Sequence, residues 1–126
     1  MDLEIKKNLA SNWFKNLQNA FCDDILKFEN NKAHFKSSNW KKNNTKDEGG
    51  GEYKILQNGK VFEKVGVNFS KVYGKFPKQF RKNIPGAQTD PRFWASGISV
   101  VMHMKNPLIP AMHFNTRYIC TTQDWF

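Results

Sequence analysis

Five polar side chains with complementary chemistry lie in two short, largely apolar segments, residues 97–104 and 111–120. They are Ser99, His103, His113, Asn115 and Arg117. An Arg guanidinium binds a carboxylate through two parallel hydrogen bonds, and Ser and Asn can add neutral hydrogen bonds around it. A His beside such a site can transfer protons near neutral pH. The set therefore fits a carboxylate-binding site with an acid–base residue next to it.

The spacing of these residues predicts that they share one side of a β-sheet. Side chains of a strand alternate between its two faces. Ser99 and His103 therefore lie on one face of the first segment, and His113, Asn115 and Arg117 lie on one face of the second. If the two strands pair across the proline-containing connection KNPLIP, all five converge on the same side.

Plainer interpretations of these residues remain open at this point. A single His on a strand is more often structural than catalytic, and Arg117 could simply pair with an acidic side chain. His103 and His113 alone do not make up a zinc site, which takes three or four ligands. His34 lies in a polar stretch and is expected to be solvent-exposed.

The N-terminal segment has the periodicity of an amphipathic helix. Apolar residues recur at spacings of three and four over residues 3–28, which predicts that one stripe packs on a larger body. The stripe consists of Ile5, Leu9, Trp13, Leu17, Phe21, Ile25 and Phe28. The other faces mix both signs of charge, which argues against a helix that lies on a membrane surface. Residues 1–29 are therefore assigned as the helical part.

The remainder of the chain has the character of a β-meander. Residues 30–52 are polar and lack periodicity, which predicts a mobile connection. Asn58-Gly59 predicts a hairpin in which both turn residues have positive φ, and strict alternation beyond it puts Phe62 opposite the Val65 face. A short helix is expected at 77–82. With residues 53–126 as a meander, the fold class is α+β with an antiparallel sheet, in one domain.

Composition limits the classes of partner and compartment. The 126 residues include 20 Lys and Arg against 11 acidic residues, a formal charge of +9, which attracts nucleic acid, anionic membranes or polycarboxylates alike. The basic residues do not gather on one helix face or on an aromatic-rich strand, which disfavours nucleic acid. Cys22 and Cys120 lack metal-site or disulfide spacing, which indicates a reducing compartment and a cytoplasmic protein. No apolar stretch is long enough to predict a membrane span.

Several motifs resemble those of the oxygen-dependent coproporphyrinogen-III oxidases. Residues 58–75, NGKVFEKVGVNFSKVYGK, are similar to one stretch of that family, and residues 95–119, ASGISVVMHMKNPLIPAMHFNTRYI, to its most specific signature. The final Trp125-Phe126 matches a WF pair that precedes GGG-x-D-L-T-P in the family. Trp40 and the glycines 49–51 resemble a distorted form of a tryptophan and glycine-run element. The resemblance extends from about residue 11 to the end.

The resemblance implies a fold, a reaction and partners. The fold would be part of a flat antiparallel sheet with flanking helices, from a protein that forms homodimers. The reaction would use O2 to convert the ring A and B propionates of coproporphyrinogen III to vinyl groups, giving protoporphyrinogen IX, CO2 and hydrogen peroxide in haem biosynthesis. No organic cofactor is implied, and a divalent metal is left open. Coproporphyrinogen III and O2 would be the partners, without nucleic acid.

The resemblance also implies roles for individual residues. His113 matches the proton donor, and His103 and His113 match two of a proposed set of metal ligands. Substrate binding falls to Ser99, Asn115, Thr116 and Arg117. Asn115, Thr116 and Arg117 match a substrate-binding N-x-R element of the family.

Part of the family pattern lies outside the chain. The family's catalytic Asp, in GGG-x-D-L-T-P, would come just after Phe126, and two further histidines and a C-terminal arginine-rich segment would follow. The chain is therefore expected to be a single incomplete domain with its C-terminal portion missing. Two alternatives remain: an inactive relative that keeps only the substrate-facing strands, and a basic module that binds anions or nucleic acid.

Overall fold

The computed structural model describes residues 2–126, and α1 is its N-terminal helix, Leu3–Leu26. The helix begins at Asp2, whose carboxylate accepts a hydrogen bond from the Glu4 N–H, an arrangement that satisfies one of the free donors of the first turn. Within residues 2–126, no helix combines the length and hydrophobicity needed to cross a membrane.

The buried stripe of α1 differs in part from the predicted one. It consists of Ser11, Phe14, Gln18, Cys22 and Ile25. Ile5, Leu9 and Trp13, by contrast, are 51%, 56% and 60% exposed. The difference has a polar cause, since Lys15 pairs with Glu52 of the sheet and Gln18 binds two strand carbonyls. With these contacts, the helix is rotated about its axis so that Phe14, Gln18 and Cys22 are buried in place of the predicted Trp13, Leu17 and Phe21.

Five antiparallel strands form one sheet, in which each strand lies beside its neighbour in the sequence. They are β1 (Lys36–Lys41), β2 (Gly49–Gln57), β3 (Phe62–Lys75), β4 (Arg92–Met104) and β5 (Met112–Cys120). A short 3₁₀ helix, Lys78–Asn83, connects β3 to β4 close to the predicted helix at 77–82. The α+β class with an antiparallel meander is therefore confirmed.

The prediction of a mobile connection over residues 30–52 is wrong, because β1 and the start of β2 lie within it. The strand β1 reads KSSNWK and forms one edge of the sheet. An edge strand with little buried surface needs few apolar side chains, so its sequence lacks the alternation that identifies more central strands.

The sheet has two unlike sides. One side, the helix-covered face, packs against α1 and contains the hydrophobic core, in which Val65, Val67 and Val100 are fully buried. The other side, the open face, has no layer against it within residues 2–126. Ser99 and the other odd-numbered positions of β4 and β5 lie on the open face, as alternation predicts.

The hairpin between β2 and β3 forms at the predicted place but with a different turn. Only Asn58 has a positive φ, of 56°, so the expectation for Gly59 is wrong. The turn is opened by the Glu29 carboxylate, which follows α1 and accepts hydrogen bonds from the N–H groups of Val61 and Phe62 at 2.9 Å and also from that of Lys60. Partial burial opposes ionisation, but these three donors hold the pKa of the Glu29 carboxyl below its ordinary value.

Because of a bulge at the start of β3, Phe62 lies on the face opposite to the predicted one. The pairing with β4 shifts between Phe62 and Lys64, so the strict alternation of the strand is interrupted there. Phe62 consequently joins the core on the helix-covered face, together with Val65. Lys64 lies opposite His103 on the open face.

Candidate functional site

The pairing of β4 with β5 brings the five polar side chains together. Ser99 lies directly opposite Asn115, and Gly97 lies opposite Arg117. His113 is opposite Val101, and His103 is two residues further along the same face of β4. Side chains directly opposite one another in an antiparallel pair have Cβ atoms about 4.5–5.5 Å apart. The predicted convergence on one side of the sheet is confirmed, although the roles of the residues remain predictions.

These side chains are accessible, and none of the ion pairs or side-chain hydrogen bonds within residues 2–126 involves them. His103, His113, Asn115 and Arg117 are exposed, and Ser99 is half-buried. Arg117 forms no ion pair within residues 2–126. The alternative in which Arg117 simply pairs with an acid is therefore not supported by the described part of the chain. An unpaired guanidinium on a sheet can bind a carboxylate through both of its forked N–H pairs.

Thr116 does not join this group. Its register partner on β4 is Ile98, so its side chain lies on the helix-covered face and is half-buried. A ligand on the open face would meet the side chains of Asn115 and Arg117 without meeting that of Thr116. The substrate-binding role implied for Thr116 stays a prediction, and the geometry leaves only its main chain to fulfil it.

Small residues form the floor of the open face. A Cβ added to Gly66 would have no atom within 4 Å. Gly66 is directly opposite Val101 of β4, which is directly opposite His113 of β5. A Cβ on Gly97 would lie 3.0 Å from the Arg117 Cβ and would overlap the Thr116 carbonyl oxygen. The floor lets a broad ligand approach the backbone closely beside the polar side chains.

The charges of the open face are all of one sign. Lys36, Lys64 and Arg117 occupy its strand positions, and no Asp or Glu takes a register-paired position there within residues 2–126. Carboxylates of the helix-covered face are instead paired, as Glu52 is with Lys15. Uncompensated positive charge on one face favours an anionic ligand.

Sequence reasoning gave no binding role to two residues of this face, Trp40 and Asn68. The Trp40 indole N–H donates a hydrogen bond of 2.9 Å to the Asn68 side-chain oxygen, and Asn68 is directly opposite Ser99. Alternation along β3 could have placed Asn68, because it falls on the same face as Lys64 and Gly66. Trp40 could not be placed, since its strand was interpreted as a mobile connection.

Comparison with known proteins identifies the family. The sequence profile of the family described as coproporphyrinogen III oxidase matches residues 9–126. The chain belongs to the coproporphyrinogen III oxidase family. The match includes all five strands and most of α1, so both the open face and the elements that position it lie within the family region.

Similar relatives are named oxygen-dependent coproporphyrinogen-III oxidase. The Rickettsia felis protein is 48% identical over 95% of this chain and 44% of its own length. The Rickettsia africae protein is 48% identical over the whole chain and 46% of its own length. That of Rickettsia bellii is 50% identical over 96% of the chain and 46% of its own length. The chain thus spans somewhat less than half the length of these curated relatives.

The residues present do not complete the metal site that the family resemblance left open. His103 and His113 share the open face, but no group of three or more His, Cys, Asp or Glu side chains gathers around a common point within residues 2–126. Since protein zinc sites take three or four ligands, these two histidines alone do not provide one. Their metal-binding role stays a prediction that requires ligands from elsewhere.

Proposed function

We propose that this chain supplies the substrate-binding face of a coproporphyrinogen oxidase. The protein would convert the ring A and B propionates of coproporphyrinogen III to vinyl groups with O2. The observation that carries the proposal is the unpaired Arg117 beside Ser99 and Asn115, on a face whose register-paired positions hold cations and no acids within residues 2–126. Membership of the family supports the choice of a tetracarboxylate as the anionic ligand.

The residues of the open face have complementary roles in this proposal. Arg117 binds a propionate carboxylate through two parallel hydrogen bonds, and Ser99 and Asn115 orient it with neutral ones. Holding the carboxylate fixes the neighbouring carbon atoms relative to His113, whose imidazole is the proposed proton donor. The low floor at Gly66 and Gly97 leaves room for the macrocycle.

The reaction balances for each propionate separately. The bond between the carboxyl carbon and its CH2 group breaks and releases CO2. The other CH2 group, which is attached to the pyrrole ring, loses a hydrogen with its two electrons, and the side chain becomes a vinyl group. O2 accepts two electrons and, with two protons, leaves as hydrogen peroxide. Two such cycles give protoporphyrinogen IX. This reaction would need no organic cofactor.

Three further features belong to the proposal. The complete protein would form homodimers, as the family resemblance implies. A cytoplasmic location is supported by Cys22 and Cys120, both of which are buried free thiols. Nucleic acid is not among the proposed partners, because Arg117 lies within a cluster of Ser, His and Asn side chains that suits a carboxylate.

The proposal is tested with coproporphyrin III, a stable oxidised form of the substrate that keeps all four propionates. We expect the folded 126-residue chain to bind it, and Arg117→Ala to weaken binding about tenfold or more, since a charged hydrogen-bonded pair is lost. Arg92→Ala is the matched control, because Arg92 also is exposed but pairs with Asp90.

The outcomes separate the alternatives. Binding that depends on Arg117 supports the proposal, and turnover of coproporphyrinogen III in air, followed as protoporphyrin fluorescence, would extend it to catalysis by these residues alone. Binding without turnover fits a chain that holds substrate while other catalytic groups lie elsewhere, or an inactive relative. A folded chain that does not bind, or that loses as much affinity in Arg92→Ala as in Arg117→Ala, contradicts the proposal.

A further inference from the structure

Trp40 and Asn68 form a hydrogen-bonded pair across the open face. Trp40 is on β1 and Asn68 is on β3, with β2 between them. The indole passes over Gly51, where an added Cβ would lie 2.9 Å from the ring atoms Cε2 and Cζ2 of Trp40. The absence of a side chain at position 51 is therefore what lets the indole reach across β2 to β3.

This contact fixes the orientation of the Asn68 amide. An indole N–H can only donate, so the Asn68 atom that meets it at 2.9 Å must be the oxygen. The choice between amide oxygen and nitrogen, which often depends on the surrounding network, is settled here by the partner. The Asn68 Nδ2 group, with two N–H donors, consequently faces away from Trp40.

The free donors of Asn68 lie beside the proposed carboxylate site. Asn68 is directly opposite Ser99, and Ser99 is directly opposite Asn115, so the three side chains form a row across β3, β4 and β5. Neighbours in such a row have Cβ atoms about 4.5–5.5 Å apart. Arg117 lies two residues beyond Asn115 on the same face. A group that presents only N–H donors at this place fits an acceptor, and a carboxylate oxygen is among the strongest.

We propose that Asn68 is a further substrate-binding residue, which donates its side-chain N–H groups to a carboxylate of the ligand. Trp40 is then a positioning residue, which acts through Asn68 by holding the amide oxygen. This inference rests on the proposed function of the open face. In a purely structural role, Asn68 would only accept the indole hydrogen bond, so any side chain with an acceptor oxygen at position 68 would be sufficient.

Two substitutions at position 68 distinguish the two roles. Asn68→Asp keeps an oxygen for the Trp40 N–H but replaces the donors with negative charge, whereas Asn68→Ala removes both functions. A donor role predicts that Asp is the worse substitution, with coproporphyrin III binding weakened about tenfold or more relative to Asn. A structural role predicts the reverse order, with Asp close to Asn. Asn39→Asp is the charge-matched control, because Asn39 is exposed on the other side of β1.

A double-mutant cycle tests the positioning role of Trp40. Trp40→Phe keeps an aromatic side chain at position 40 but removes the indole N–H together with part of the bicyclic ring, so the Asn68 amide loses its partner and is free to rotate. We expect about threefold weaker binding of coproporphyrin III in the Asn68 background and no further loss in the Asn68→Ala background, since the two residues act as a unit. Trp13→Phe is the matched control, because Trp13 is 60% exposed on α1.

Circular dichroism and thermal unfolding of each variant establish that it is folded before binding is compared. Binding that falls in Asn68→Asp below that of Asn68→Ala, with a non-additive Trp40→Phe, supports the inference. Wild-type binding that needs Arg117 but is equal in Asn68 and Asn68→Asp overturns it and leaves the proposed function intact. Equal losses from Trp40→Phe in both backgrounds overturn the positioning role. A folded wild-type chain that does not bind overturns both proposals.

Discussion

The two faces of the sheet use the same strands for opposite purposes. On the helix-covered face, apolar side chains are buried and polar ones are satisfied, as with Gln18, which donates to the Glu52 and Val67 carbonyls at 2.8 and 3.1 Å. On the open face, His113, Asn115 and Arg117 are exposed, and Arg117 has no ion-pair partner within residues 2–126. The first face thus stabilises the fold, and the second presents unmatched donors and positive charge to a ligand.

Adjacent residues of β4 give the sharpest contrast between the faces. Val100 is completely buried, whereas Val101 is 38% exposed. We expect Val100→Asp to lower the free energy of unfolding by about 4 kcal/mol or more, because it buries an unpaired charge. Val101→Asp should change it by no more than about 1 kcal/mol. Urea unfolding of both variants measures the difference, and similar losses would break the distinction between the faces.

Two glycines of the open face, Gly51 and Gly66, differ in the space available for a side chain. A Cβ on Gly51 would overlap the Phe69 carbonyl oxygen and lie 2.9 Å from the Trp40 ring, so Gly51→Ala should cost about 3 kcal/mol. Gly66 has free space above it, and Gly66→Ala should alter stability by less than about 1 kcal/mol. Thermal unfolding and coproporphyrin III titration are measured together. If Gly66→Ala unfolds the chain, the floor is not the open surface described.

The buried amide of Gln18 tests how the helix-covered face is held. Gln18 is 0% exposed, and Gln18→Met keeps its approximate shape while leaving two strand carbonyls without this donor. We expect a loss of about 2 kcal/mol in the free energy of unfolding, with coproporphyrin III affinity unchanged in the folded fraction. Asn16→Ala, at an exposed position of the same helix, serves as the control. A Gln18→Met chain as stable as the wild type would show that the two Gln18 hydrogen bonds do not stabilise the packing of α1 on the sheet.

The smallest expected effect concerns pH. The Lys15 amine and then the Ser37 hydroxyl hold the pKa of the Glu52 carboxyl below its ordinary value. The folded state therefore binds fewer protons than the unfolded state just below the unfolded pKa of about 4.3, so this contribution is present above that pH and is lost as pH falls through the folded pKa. Glu52→Gln should flatten the decline in stability below about pH 5, whereas Ser99→Ala on the open face should not. If the free energy of unfolding fell equally with pH below about 5 in wild type and Glu52→Gln, the lowered pKa of Glu52 would not contribute to stability.

Strand alternation was sufficient to predict most of the candidate site. It placed Ser99, His103, His113, Asn115 and Arg117 on one face because β4 and β5 are regular and half-covered, the situation in which a period of two is strongest. The same reasoning assigned Phe62 to the wrong face, because nothing in a single sequence marks the bulge that interrupts β3.

Other features depended on tertiary contacts that spacing does not encode. The orientation of α1 is decided by Lys15 and Gln18, polar residues whose partners on β2 and β3 are distant in sequence. The turn at Asn58 is reshaped by Glu29, which follows α1 in the sequence and binds the backbone N–H groups of Val61 and Phe62. Trp40 joins the open face only because β1 forms, and an edge strand of small polar residues gives little signal of itself.

The most direct test of the account is to map where coproporphyrin III binds. Amide chemical-shift changes would be measured by NMR on the isotopically labelled chain during titration. The account predicts the largest changes in β4 and β5 around Ser99, Asn115 and Arg117, with smaller ones at Asn68. The largest changes along the exposed side of α1, or in the cavity of about 520 Å³ beside Lys7 and Trp94, would contradict the assignment of the open face as the binding surface.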